Sequence, residues 1–348
     1  MGKKSKRRTK KIAKRLSAPK HQNSVLPTVN SFLNVMVDGI EFESLCKYRY
    51  ENVILPNEVR RSIKEVEDAR GKRAICYFAN LFSPCNSIDE ADDLPFTEMV
   101  NAIPADEREI DVLLMTPGGS GAQTANFVST LRKRFDVVNF IVIDKAMSAG
   151  TIFIMSGDEI VMSKDSKFGP IDPQIPSKDG RYVPAQSILL TINDIQVRGV
   201  DNLQHGQQPN WTDIQILRNI NATDIGTALS SSQYSIDLVK KYLRDYKFKN
   251  WITHSNSGNP VTDAERTKRA EEIAKDLCDH QKWNSHSYAI SRDEAQSVCR
   301  LKITNAESVT GLERAMRRMR ALLSWMGHKN AYVKIFASQE YFIIKNRN

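Results

Sequence analysis

No apolar run in the chain approaches the roughly 18 residues that would cross a bilayer as a helix. The longest, Phe140-Ile141-Val142-Ile143 and Thr151-Ile152-Phe153-Ile154-Met155, suit buried strands or helices. Cysteine is scarce: five residues (Cys46, Cys76, Cys85, Cys278, Cys299), odd in number and without a CxxC. That excludes a disulfide framework and a zinc site and leaves reduced core thiols. Histidine is scarcer still in the first half of the chain, with none between His21 and His205. The basic N-terminus is followed by no apolar stretch, so no secretory signal is expected and the reading is a cytoplasmic protein. What is present, 41% hydrophobic and 8% aromatic residues in 348, suffices for a packed core in one large domain or two ordinary ones.

The net charge of +9 is a matter of place rather than of total. Residues 1–20 hold ten Lys and Arg and no acid, which leaves 40 basic against 41 acidic residues in the remainder. A block of like charge this dense repels itself. Residues 3–20 read either as a solvated tail or as an arm for a polyanion, nucleic acid or anionic membrane.

From about Arg73 strands and helices alternate. Ala74–Phe78 reads as a strand, Leu94–Ile103 as a helix, Asp111–Met115 as a strand stopped by Pro-Gly-Gly, and Ala122–Phe135 as a helix ending in Arg132-Lys133-Arg134. Val137–Ile143, Ser148–Met155 and Glu159–Met162 continue the strand–helix–strand pattern, which implies right-handed crossovers and a mainly parallel sheet. Beyond Pro184 the chain reads as mostly helical, over Ala185–Asp194, Asp213–Leu229, Gln233–Asp245, Asp263–His280, Asp293–Cys299 and Gly311–Met326, with Ala331–Lys345 a closing strand or hairpin. The helix at 311–326 alternates basic and apolar positions, either as a basic patch or as an amphipathic face on the core.

Two motifs stand at the ends of consecutive strands. Thr116-Pro117-Gly118-Gly119-Ser120-Gly121 lets backbone N–H groups approach a ligand closely. Lys145-Ala146-Met147-Ser148-Ala149-Gly150-Thr151 puts a serine among small residues at a helix start, either as an ordinary N-cap or as an exposed nucleophile. In neighbouring parallel strands both motifs open on the same sheet edge. The N–H groups of Gly119 and Ala149 then converge beside Ser148 as an oxyanion hole. A third turn, Phe168-Gly169-Pro170-Ile171-Asp172-Pro173-Gln174, faces the same crevice.

The ordered run of these motifs, continued in Asp158–Met162, Pro184–Leu189, Arg269–Ala274 and Trp283–Ile290, resembles the serine dehydrogenase proteinase family. That family is a branch of the Clp-protease-like serine peptidases, related to signal peptide peptidase A. The resemblance covers roughly Ile75–Leu301 and implies an α/β, Clp-protease/crotonase-like ββα superhelix with a helical C-terminal extension. It implies an ATP-independent serine endopeptidase that needs no cofactor. Ser148 is then the nucleophile, Gly118, Gly119 and Ala149 form the oxyanion hole, peptides or proteins are substrates, and the chain is a homo-oligomer. The organisation expected is a polybasic tail and linker over 1–30, a catalytic core over 31–200, a helical insert over 201–262 and a C-terminal segment over 263–348. Where many relatives begin with a membrane anchor, this chain has its polybasic tail.

The base for Ser148 is open at this stage. The Clp proteolytic subunit supplies a histidine soon after its serine; here that stretch offers Asp172. One solution brings back His286, oriented by Asp172; the other uses a lysine, with Lys178, Lys145 or Lys167 as candidates, its pKa lowered by burial. Two other functions fit the sequence: a crotonase-like acyl-CoA enzyme using the same backbone donors, and a degenerate scaffold whose basic arm binds a polyanion.

Overall fold

The computed structural model describes residues 36–47, 55–177, 180–254 and 257–346. In chain order the helices and strands are α1 (Glu41–Cys46), α2 (Leu55–Arg70), β1 (Ala74–Ala79), α3 (Asp93–Asn101), β2 (Glu109–Thr116), α4 (Gly121–Arg134) and β3 (Val137–Ala146). There follow α5 (Ala149–Ile154), β4 (Glu159–Met162), β5 (Lys167–Phe168), β6 (Gln174–Pro176), β7 (Tyr182–Pro184), α6 (Ala185–Gln204), α7 (Trp211–Asn219) and α8 (Ala222–Tyr242). The chain closes with α9 (Asp263–Cys278), α10 (His280–Trp283), β8 (Ile290–Ser291), α11 (Arg292–Ser297), β9 (Thr304–Asn305), α12 (Leu312–His328), β10 (Lys334–Ala337) and β11 (Phe342–Lys345).

The main sheet runs β11-β10-β1-β2-β3-β4-β9, parallel from β1 through β9 and antiparallel at the β10–β11 hairpin. Its central strands are mostly apolar because both faces are covered. Along β1, Ile75, Tyr77 and Ala79 enter one core while Ala74, Cys76 and Phe78 enter the other, and β2 and β3 alternate in the same way. The first core is packed by α3, α4, α5, α8 and α9; Phe96 stacks on Phe127 with ring centroids 4.0 Å apart. The second is packed by α2 and α12, with Trp325 and Tyr332 among its largest buried side chains. The fold is therefore the ClpP-like α/β fold with a helical C-terminal region.

Several elements differ from the sequence reading. Helix α2 has no counterpart there. The helix expected over 213–229 is two helices, because Asn221 and Asp224 form a capping box that starts α8 afresh. Helix α6 runs ten residues past its expected end at Asp194, to Gln204. The arginines of α12 make no free basic patch: Arg314 pairs with Asp38 (3.0 Å), Arg317 with Glu41 (3.0 Å) and Arg320 with Asp144 (3.0 Å). Its apolar face is buried against the sheet and α2. All five cysteines are free thiols. No helix of the described residues is long and apolar enough to cross a membrane. The 1–30 tail lies outside the described residues.

Candidate active site

Strands β2 and β3 are parallel neighbours, and Thr116 pairs with Ala146 at their C-terminal ends. The two turns that leave these strands therefore meet. Ser148 sits at φ 51°, ψ −116°, a left-handed conformation rare for a residue with a side chain. Such a conformation costs on the order of 1–3 kcal/mol and persists only where the surroundings impose it. Here Met147 N–H donates to Thr116 O (3.0 Å), Gly150 N–H to Met147 O (2.7 Å) and Thr151 N–H to Ser148 O (2.8 Å). Although Ser148 occupies the N-cap position of α5, its hydroxyl makes no capping bond. The reading as an ordinary cap is thereby removed, and the half-buried Oγ faces a cleft.

The glycines opposite are required by space. A Cβ on Gly118 would stand 2.6 Å from Met147 O, 2.8 Å from Ser148 Cβ and 3.1 Å from Ala149 N. A Cβ on Gly119 would collide with the backbone of Ile88, at 2.4 Å from its O and 2.5 Å from its N. Ile88 brackets Gly119: its N–H donates to Gly118 O (2.7 Å) and its O accepts from Ser120 N–H (2.8 Å). The Gly119 and Ala149 N–H groups have no acceptor among the described residues. They are a pair of free donors on the two turns that meet at Ser148.

The Gly169–Asp172 turn is tied to the same elbow. Thr151 Oγ1 lies 2.8 Å from both the Ala146 and the Gly169 carbonyl and accepts from Gly169 N–H (3.1 Å). Ile171 N–H donates to Leu277 O (2.9 Å), which brings the end of α9 alongside. Just beyond it, β8 pairs antiparallel with β5, Phe168 opposite Ile290, so the segment between α9 and β8 is held against the turn. Asp172 is fully buried. Its Oδ1 accepts from His286 Nδ1 (2.9 Å) and its Oδ2 from His280 Nδ1 (3.0 Å). A carboxylate only accepts, so each ring donates its Nδ1–H to Asp172. The backbone of His280 is fixed in turn by Gln186 Oε1 (2.8 Å), from the first turn of α6. Burial and the Asp172 charge push the nearby Cys278 thiol up to about 12, which keeps it unreactive.

Sequence reasoning did not foresee His280. Of the lysines, Lys145 is exposed and stands beside the half-buried Lys167 on paired strands; neither lines the cleft. Lys178 lies outside the described residues. The cleft at Ser148, about 260 Å³, is walled by Ile152 and Ile171 on one side and by Tyr234 and Ser235 of α8 on another. Among the described residues no cluster of three or more His, Cys, Asp or Glu could hold a metal ion.

A serine held in a strained elbow, two free N–H groups and a buried aspartate bonded to two histidines are thus built around one end of the sheet. Residues 50–205, a little under half of the chain, match the family of ClpP-like SDH-type serine proteinases. Two uncharacterized proteins of Methanocaldococcus jannaschii are similar. MJ1495 is 30% identical over 164 residues, 45% of this chain and 52% of that protein. MJ0137 is 33% identical over 93 residues, 27% of this chain and 30% of that protein. The chain thus spans about half the length of the first and under a third of the second. Among solved structures, a serine-to-alanine mutant of the 1510-N membrane-bound stomatin-specific protease is 13% identical, covering 63% of this chain and 74% of that one at a TM-score of 0.36. A lysine-to-alanine mutant in complex with a substrate peptide is 14% identical, covering 75% and 85% at 0.37.

Proposed function

We propose that the chain is a serine endopeptidase that cleaves peptide or protein substrates through an acyl-enzyme on Ser148. The observation that carries the reading is the Ser148 elbow, strained at φ 51° with its hydroxyl released from capping and two unpaired N–H groups beside it. In this scheme Ser148 Oγ attacks the peptide carbonyl, and the oxyanion that forms takes the Gly119 and Ala149 N–H groups. His286, held on Asp172, accepts the serine proton at Nε2 and returns it to the leaving amine; water then repeats the sequence in reverse. Asp172 keeps the ring in the required tautomer and stabilises the imidazolium. No glutamate lines the cleft, which argues against the acyl-CoA reading of the fold. The buried aspartate–histidine pairing argues against a degenerate scaffold.

Self-association fits the surface of the helical region. Val197, Val200 and Leu203 of α6 and Trp211 and Leu217 of α7 are 44–72% exposed and lie on consecutive helices, where a second copy would cover them. The enzymatic reading is tested with a fluorophosphonate probe on the full chain. Labelling at Ser148 that disappears in S148A is expected. A folded wild-type protein that takes up no label overturns the reading.

A further inference from the structure

Helix α8 makes part of the Ser148 cleft although it lies outside the matched family segment. Its buried residues Ala228, Ser232, Ser235, Val239 and Tyr242 recur at helical spacing and fix it against α6 and α9. That anchoring presents Ser231, Tyr234 and Ser235 to the cleft, opposite Ile152, Ile171 and Gln174. The Tyr234 ring reaches over the start of α4: its Cε1 would stand 3.6 Å from a Cβ placed on Gly121. Tyr234 therefore walls the cleft beside the start of α4.

Among the described residues, none of the side chains lining the cleft is charged. The nearest buried charge, Asp172, sits between the lining residues Ile171 and Pro173, but both its oxygens are held by histidines. A lysine, arginine or carboxylate side chain entering the cleft finds no counter-ion among these residues and gives up part of its water. The cleft is small as well. The volume of about 260 Å³ holds on the order of nine waters at ~30 Å³ each, about the non-hydrogen atoms of one leucine residue with its peptide group.

We infer that the site selects substrates with a small or medium uncharged side chain on the residue whose carbonyl is attacked, and that Tyr234 of α8 sets the upper size. This specificity rests on the serine peptidase reading.

The test uses the full chain and five fluorogenic peptides of one sequence, differing only at that residue: Ala, Leu, Phe, Lys or Glu. For the wild type, kcat/KM is expected to be highest for Leu or Ala, lower for Phe, and about 100-fold lower for Lys and Glu. In Y234A the Phe-to-Leu ratio rises about 10-fold, because the truncated side chain opens the closed end. In Y234F the wild-type ranking stays, since the ring and not its hydroxyl sets the limit. Each ratio is internal to one variant and so is insensitive to its folded fraction. Cleavage of the Lys or Glu peptide at the level of Leu overturns the inference, as does an unchanged Phe-to-Leu ratio in Y234A. If no peptide is turned over but Ser148 takes up fluorophosphonate, peptide aldehydes with the same five side chains replace the substrates. Their ranking as competitors of labelling then decides in the same way. No labelling at all removes the peptidase reading and this inference together.

Discussion

The two halves of the candidate site are built by different means. The elbow half is local backbone: Ile88, Gly118–Gly119 and Met147–Thr151 come from the turns around two adjacent strands, and their positions follow from strand register and absent side chains. The histidine half is long-range: Asp172 bonds His280 and His286 across 108 and 114 residues of sequence, on a segment docked by the Ile171–Leu277 bond and the β5–β8 pairing. The first half is rigid because nothing larger than glycine fits. The second is held because a buried carboxylate must have partners. Hence the donors that stabilise charge and the group that moves a proton are open to separate disruption.

The largest effect is expected at the long-range half. D172N keeps the volume but replaces an acceptor-only group by an amide that can donate, so His286 loses the anion that fixes its tautomer. By analogy with aspartate replacement in a Ser-His-Asp triad, kcat is expected to fall on the order of 10⁴-fold. The far-ultraviolet circular dichroism spectrum should stay that of the wild type. A kcat within tenfold of wild type would move the base elsewhere, with the lysines the first place to look. The elbow half should respond less in rate and more in fold. G118A forces a side chain at φ 101° into Met147 O and Ser148. It is expected to cost ~2 kcal/mol or more of stability, read as a lowered denaturation midpoint. It also displaces a donor, for about 10²–10³-fold in kcat. Unchanged stability with wild-type kcat would mean that the two turns do not meet as closely as the strand ends imply.

This division also explains what the sequence makes legible. The parallel sheet is readable because strands such as Val137–Ala146 are buried on both faces and carry apolar runs such as Phe140–Ile143. The elbow is readable because small residues in Met147-Ser148-Ala149-Gly150-Thr151 are the chemical trace of close backbone approach: a Cβ on Gly150 would stand 2.5 Å from Thr116 Cγ2. Asp172 could be placed in the crevice by its turn. His280 could not, since what brings it there is the Ile171–Leu277 hydrogen bond and a two-residue β5–β8 pairing, neither of which leaves a periodic signal. Helix α2 escaped for a similar reason. Its apolar positions, Val59, Ile63 and Val66, are few among charged neighbours, and only the second core makes them a buried face. The break between α7 and α8 lay in the Asn221 capping box, where local hydrogen bonding overrides a continuous helical pattern.

The smallest effect contrasts two buried carboxylates. Asp172 has an imidazole on each oxygen, whereas Glu58 of α2, on the opposite face of the sheet, is 1% exposed with Oε2 lacking a hydrogen-bond partner. Burial, outweighing the nearby Arg61, pushes the Glu58 carboxyl up to about 7 from 4.5. The sign follows from proton counting. Between these two values the folded state holds the proton that the unfolded state releases, so stability declines as pH rises through that window and the full penalty is present above it. E58Q removes the charge while keeping the shape. It should leave stability near wild type at pH 4.5 and raise it by on the order of 2 kcal/mol at pH 8. Denaturant unfolding at both pH values reads the difference, while Ser148 labelling, on the other side of the sheet, should not change. An E58Q gain equal at both pH values would assign the effect to packing instead. A loss at pH 8 would mean that Glu58 is paired in the folded protein, and the contrast with Asp172 would disappear.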